Sequence, residues 1–312
     1  MALSENVKNL IQSVADNDLQ KAKSYVKVII SNETATSNQY FCKTVKSKLE
    51  TQPNFIELPY DIRGILKMED VSDTFNENRY FLTDREREVF NRISMAKNVN
   101  EKLTEMGIRY LNTTLLYGET GTGKTTFGKY VAYKLGLPFA YLNFSQCITS
   151  LLGGTSKNIN KVFEYISKQK CVLMLDEIDA IGIKRGKEDL GEITRVVISL
   201  MQSFDLLDNE VIVIGATNRI DMIDEALIRR FSIKHEVNTL SNNNAYRLIT
   251  NYLDDLKIEY DNDNILDYVE NHHKQSEIIN DIIRGIVKML NENTEFNLNT
   301  DLEIGGVLSE RK

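Results

Sequence analysis

The stretch Thr113–Thr126, TTLLYGETGTGKTT, decides how this chain folds. Its first half is an apolar, β-favouring run that stops at glycine, and its second half opens a helical pattern running from Lys124 to about Leu135. Between them stands a complete G-x-x-x-x-G-K-T: Gly118, Glu119, Thr120, Gly121, Thr122, Gly123, Lys124 and Thr125, with Thr126 following. Glycines at these places let the backbone curl until successive N–H groups face one anion, and the helix that starts near Lys124 adds the positive end of its dipole. In such a loop the lysine, Lys124, reaches the β- and γ-phosphates of a nucleotide, and the Thr125 hydroxyl can ligate Mg²⁺.

The same grammar continues outward. PFAYLNF (138–144), CVLMLD (171–176), VIVIGAT (211–217) and FSIKHEV (231–237) read as further strands, with helical stretches between them. Strands made of continuous apolar runs, alternating with helices, predict an α/β fold: a parallel sheet flanked by helices on both faces. The segment VLMLDEID (172–179) delivers Asp176 and Glu177 to the carboxyl end of a strand, where ligands sit in open α/β sheets. An acidic pair at a strand end is more often a helix cap. Here it follows a phosphate loop at the next strand but one, so Asp176 is expected to hold Mg²⁺ through water and Glu177 to orient or deprotonate an attacking water.

These motifs resemble those of the AAA+ ATPases, in particular the protein-remodelling branch with a second region of homology. The resemblance runs through DEIDAIGIKRG (176–186), GEITRVVISLMQSFD (191–205) and VIVIGATNRIDMIDEALIRRF (211–231), and covers roughly residues 80–312. It implies a P-loop ATPase that uses ATP and Mg²⁺. By the same resemblance Asn218 is the polar sensor of the γ-phosphate or its water, and Arg229 and Arg230 are the candidate arginine fingers. A finger acting in a neighbour's site implies a ring-shaped homo-oligomer, which in this family is usually a hexamer. The family writes R-P-G-R-F where this chain has Arg229–Arg230–Phe231 without the spacer, so which arginine acts stays open.

The resemblance also gives TSLLGGTSK (149–157) an address. Remodelling members carry their first pore loop between the second strand and the acidic-pair strand, in the pattern aromatic–hydrophobic–glycine. Leu151, Leu152 and Gly153 fall on it, with leucine in place of the aromatic. Glycine lets such a loop move, while apolar side chains grip a peptide without reading its sequence. The alternative is a loop packed at a subunit interface.

Four parts are expected: a helical region over 1–52, a linker over 53–79, the large α/β domain over 80–238 and a small helical lid over 239–312. The linker is suggested by fading periodicity and two of the chain's three prolines. In the N-terminal helices Val7, Leu10, Ile11 and Val14, then Val26, Ile29 and Ile30, recur at helical spacing, with a break at Asp16–Asn17–Asp18. They read equally as a docking bundle for a partner and as a packing appendage. In the lid, Ile279 stands near where many AAA+ proteins place a sensor arginine and Arg284 comes a turn later, so no lid sensor is assigned.

Composition sets the remaining bounds. Three scattered cysteines, Cys42, Cys147 and Cys171, read as buried reduced thiols of a cytoplasmic protein. No apolar run suggests a membrane span, and MALSENVKNL is no signal peptide. From Glu236 onward fifteen acidic residues face seven basic ones, a local balance of −8 that leaves the rest of the −7 chain near +1. Without a basic stripe, nucleic-acid binding is disfavoured, and the expected partner is a protein. Two other readings stay open: a DNA-directed ATPase of the helicase-loader or transposition-regulator type, and a nucleotide-gated assembly module. The intact Glu177 speaks against the latter, because a pure switch has little use for a water-activating carboxylate.

Overall fold

The computed structural model describes residues 3–15, 19–33, 35, 38–51, 56, 58–150, 155–181 and 190–298. In chain order the elements are α1 (Glu5–Ala15), α2 (Leu19–Ser31), α3 (Gln39–Thr51), β1 (Leu66–Glu69), α4 (Asp84–Glu105), β2 (Asn112–Tyr117), α5 (Lys124–Leu135), β3 (Phe139–Asn143), α6 (Phe144–Ser150) and α7 (Thr155–Ile166). They continue with β4 (Val172–Asp176), α8 (Leu190–Phe204), β5 (Ile212–Thr217), α9 (Glu225–Ile228), β6 (Ile233–Glu236), α10 (Asn242–Leu256), α11 (Asn262–Val269) and α12 (Gln275–Glu292).

The six strands form one sheet in the order β1-β3-β4-β5-β2-β6, parallel except for β1 against β3. The apolar runs are continuous because both faces are covered. Leu115, Leu173 and Val213 point into a core shared with Ile159 and Phe163 of α7 and Leu200 and Phe204 of α8. Their neighbours Leu116, Met174 and Ile214 point the other way, against Val89 and Ile93 of α4 and Phe127 and Val131 of α5. The mixed α/β architecture is the one read from the sequence.

Capping fixes where the helices begin. Thr83 caps α4 through a reciprocal pairing with Glu86: the Glu86 N–H donates to Thr83 Oγ1, and the Thr83 N–H donates to Glu86 Oε2. Ser241 caps α10 through the Asn244 N–H. The three C-terminal helices enclose a core of their own, built on Leu248, Ile249, Leu253, Ile265, Ile278 and Ile282. This three-helix unit is tied to the segment before α4. Asp255 of α10 accepts from Asn76 Nδ2 (2.7 Å) and Asn78 Nδ2 (3.0 Å) and pairs with Arg79, whose guanidinium lies over the Tyr252 ring.

Two expectations are corrected. The stretch 53–79, read as a linker, carries β1, and Leu58, Ile62, Leu66, Met68 and Val71 are buried. β1 has only four residues and is an edge strand with one paired neighbour, too brief for its alternation to show as periodicity. The second concerns Cys42, which is half-buried, whereas Cys147 and Cys171 are buried and their thiols are pushed up to about 11 and about 12 by desolvation. The N-terminal helices form on either side of the expected break, although Asp16–Asn17–Asp18 itself lies outside the described residues. Their apolar stripe is partly covered: Val7, Leu10, Val26, Ile29 and Ile30 are half-buried, whereas Ile11 and Val14 are exposed, as are Tyr40 and Phe41 of α3. Among the described residues, no helix is long and apolar enough to cross a membrane.

Candidate active site

The strand order positions the site. The chain leaves β2 through α5 and crosses over β5 and β4 to reach β3, so the carboxyl ends of β4, β5 and β2 lie side by side. Each ends in one part of the predicted constellation: the acidic pair after β4, Asn218 after β5 and the glycine loop after β2. This is the crevice in which open α/β sheets bind ligands. A cleft of about 410 Å³ is lined by Thr120, Gly121, Gly123, Lys124, Thr125, Thr126, Asp176, Glu177 and Asn218, together with Gln275, Ser276, Ile279 and Asn280 from the start of α12. Gly118, Glu119 and Thr122 border a second cleft of about 330 Å³, which also touches Asn218 and Val237.

The loop needs its glycines. Gly118 has φ +142°, and a Cβ there would sit 2.3 Å from the Val237 carbonyl oxygen. At Gly121, φ +85°, it would sit 2.3 Å from Ser276 Oγ. Lys124 is buried, and its Nζ donates to the Gly118 and Glu119 carbonyls at 2.8 and 2.6 Å. Burial lowers its pKa, while the negative charges of Asp176, Asp179 and Glu119 work the other way. The ammonium is thus folded onto its own loop.

Thr125 Oγ1 donates to Asp176 Oδ2 at 2.8 Å, and the Glu177 N–H donates to Asp176 Oδ1 at 2.9 Å. With the Thr125 proton committed to Asp176, the hydroxyl lone pairs are left for a cation. A hydroxyl and a carboxylate are hard oxygen donors, so this pair fits Mg²⁺. Glu177 has φ +54°, in the left-handed region that costs a residue with a side chain about 1 kcal/mol or more, and its side chain borders the cleft. Beside it, Thr217 Oγ1 donates to Asp179 Oδ1 (2.8 Å) and accepts from the Arg219 N–H (2.9 Å), which fixes the turn carrying Asn218.

Neither arginine of the Arg229–Arg230 pair is among the described residues lining the cleft. Both stand exposed after α9. Arg229 Nη2 bonds Glu225 Oε1 at 2.6 Å, and Arg230 Nη1 bonds Asp205 Oδ1 at 2.7 Å. Leu151, Leu152 and Gly153 lie outside the described residues; the helix expected after them is α7. Arg284 does not face the cleft either, since it pairs with Asp281 at 2.9 Å on the lid's own surface.

How the start of α12 meets the phosphate loop was not legible in the sequence. Gln275 is 3% exposed; its Nε2 donates to the Phe81 and Thr122 carbonyls at 3.2 and 3.5 Å, and its Oε1 accepts the Phe81 N–H at 3.3 Å. The Ser276 N–H donates to the Gly121 carbonyl at 3.1 Å, and Lys274 Nζ lies 3.5 Å from Glu119 Oε2. A Lys-Gln-Ser at a helix start carries no pattern that foretells these partners.

Residues 114–239 match the family described as ATPase family associated with various cellular activities (AAA). An uncharacterized AAA family ATPase of Sinorhizobium fredii is 30% identical over 244 residues, 74% of this chain and 72% of the relative. The chain therefore belongs to the AAA family of ATPases. Within it, the 26S proteasome subunit RPT4 of Saccharomyces cerevisiae is 34% identical over 173 residues, 54% of this chain and 40% of that subunit. An ATP-dependent zinc metalloprotease FtsH of Mycoplasma genitalium is 34% identical over 165 residues, 50% of this chain and 23% of the protease. The chain thus spans less than half the length of these two relatives.

Proposed function

We propose that this protein is an Mg²⁺-dependent ATPase that works as a ring of identical subunits and remodels, unfolds or loads a protein partner. The observation that carries the ATPase reading is the Thr125–Asp176 hydrogen bond, which ties the phosphate loop to the acidic strand within one cleft. Thr125 and Asp176 would hold Mg²⁺, which when bound supplies positive charge against the β- and γ-phosphate oxygens. Lys124 exchanges its loop carbonyls for those oxygens. Glu177 accepts a proton from water as the water oxygen bonds to the γ-phosphorus and the β–γ bridging P–O bond breaks, releasing ADP and phosphate. Asn218 donates its amide to the γ-phosphate or orients that water.

Arg229 or Arg230 of a neighbouring subunit would supply the remaining charge in the transition state, since neither lines its own subunit's cleft. Their exposure, and their pairing with exposed carboxylates among the described residues, support this reading: both are available for exchange onto a neighbour. The relatives' names include a proteasome subunit and a protease, which favours a protein as the partner. In this reading residues 80–238 with the lid after 239 form the motor, Leu151–Leu152–Gly153 grips the partner, the N-terminal helices dock it, and the setting is cytoplasmic.

The test is a Glu177→Gln protein held in ATP and Mg²⁺. It should sediment as a closed oligomer and retain a bound protein, while the wild type should show ATPase stimulation by protein. Stimulation by DNA, with none by protein, would replace this reading with a DNA-directed one.

A further inference from the structure

We propose that Tyr141 is a positioning residue of this site: its phenol O–H, supported by Asn143, fixes the Asp176 carboxylate in the orientation that the cation requires. The inference rests on reading Thr125 and Asp176 as the cation site.

β3 and β4 run parallel, with Asn143 opposite Asp176 and Tyr141 opposite Met174. Residues two apart on a strand share a face, so Tyr141 and Asn143 stand beside Met174 and Asp176 on the same side of the sheet. The Tyr141 hydroxyl donates to Asp176 Oδ2 at 3.2 Å and accepts from Asn143 Nδ2, also at 3.2 Å. Asn143 is oriented in turn, because its Oδ1 accepts the Gln146 N–H of α6 at 3.0 Å. The relay therefore starts in the backbone of a helix and ends on the carboxylate.

Asp176 Oδ2 thus receives two hydroxyl protons, from Thr125 at 2.8 Å and from Tyr141, while Oδ1 receives the Glu177 N–H. Three donors spread over both oxygens leave the carboxylate no free rotation. Without Tyr141, Asp176 would be held on one side by a residue that must also turn its lone pairs to the cation. The ring itself packs against the second core and Phe139, contacts that phenylalanine would keep.

The experiment uses the full chain with Tyr141→Phe, a fluorescent ATP analogue and Mg²⁺ titrated from excess chelator. The expected result is an unchanged melting temperature, nucleotide affinity in chelator within about twofold of wild type, and a Mg²⁺ midpoint for the affinity gain raised about fivefold. That is the size expected for a hydrogen bond to a charged group that is weakened by its 3.2 Å length. Turnover should fall at limiting Mg²⁺ and recover at high Mg²⁺. In an Asp176→Asn background the same substitution should shift the midpoint no further, as a residue acting through Asp176 must. An unchanged midpoint in Tyr141→Phe, with a clear shift in Asp176→Asn, would overturn the role of Tyr141 alone. Equal loss of affinity with and without Mg²⁺ would also overturn it. An unchanged midpoint in Asp176→Asn would remove the cation-site reading beneath it.

Discussion

Replacing Gln275 with leucine tests how the lid is fastened. The side chain is nearly isosteric and 3% exposed, so the change removes hydrogen bonds with little loss of volume. Three bonds disappear, to the Phe81 N–H, the Phe81 carbonyl and the Thr122 carbonyl, and these backbone groups are left facing methyl carbons. The bonds are 3.2–3.5 Å long, at the weak end of the range, so the sum is about 2 kcal/mol rather than three full bonds' worth. If Phe81 exchanges through local separation of the lid, its amide should exchange roughly 30-fold faster in the variant. Hydrogen exchange read on a peptide spanning Phe81 measures this directly, and the melting temperature should fall by roughly 4 °C or more. Exchange within about threefold of wild type, with an unchanged melting temperature, would show that the amide does not fasten the lid.

Three further outcomes follow from the site. Lys124→Ala should weaken ATP binding by about 100-fold or more, measured by equilibrium titration, because a buried charge that bonds phosphate oxygens is lost. Mixing Arg229→Ala/Arg230→Ala protein with Lys124→Ala protein should restore turnover at hybrid interfaces well above either parent; a finger is worth about 10³-fold or more, so recovery is measurable even if few interfaces are productive. Mixed oligomers without recovery would count against action in trans. Leu151→Ala/Leu152→Ala should leave basal turnover within about twofold and abolish stimulation by a protein partner, whereas loss of assembly would assign this loop to the subunit interface.

The sheet was legible because both its faces are covered. Leu115–Leu116, Leu173–Met174 and Val213–Ile214 give runs with no polar interruption, a pattern that few other structures produce. The glycine loop and the acidic pair were legible because their chemistry restricts residue type and order. What stayed hidden depends on strands and helices meeting across long sequence distances. β1 is an edge strand of four residues, and its neighbour is set by the fold and not by any local signal. Tyr141 looked like one more aromatic in a strand; its hydroxyl acquires meaning only when the register sets Asn143 beside Asp176. The contact between Gln275 and Phe81 spans 194 residues, and nothing near either position marks it. On α1 the helical spacing foretold the helix and left open whether its apolar stripe is covered; Ile11 and Val14 are exposed.

The central claim is that this cleft binds ATP and hydrolyses it through Glu177. The direct measurement pairs ATP binding with single-turnover hydrolysis in wild type and Glu177→Gln. Affinity is expected within about threefold of wild type and hydrolysis at least about 100-fold slower, because the substitution keeps the side chain's shape and removes its capacity to accept a proton. Undiminished hydrolysis in Glu177→Gln would contradict the claim.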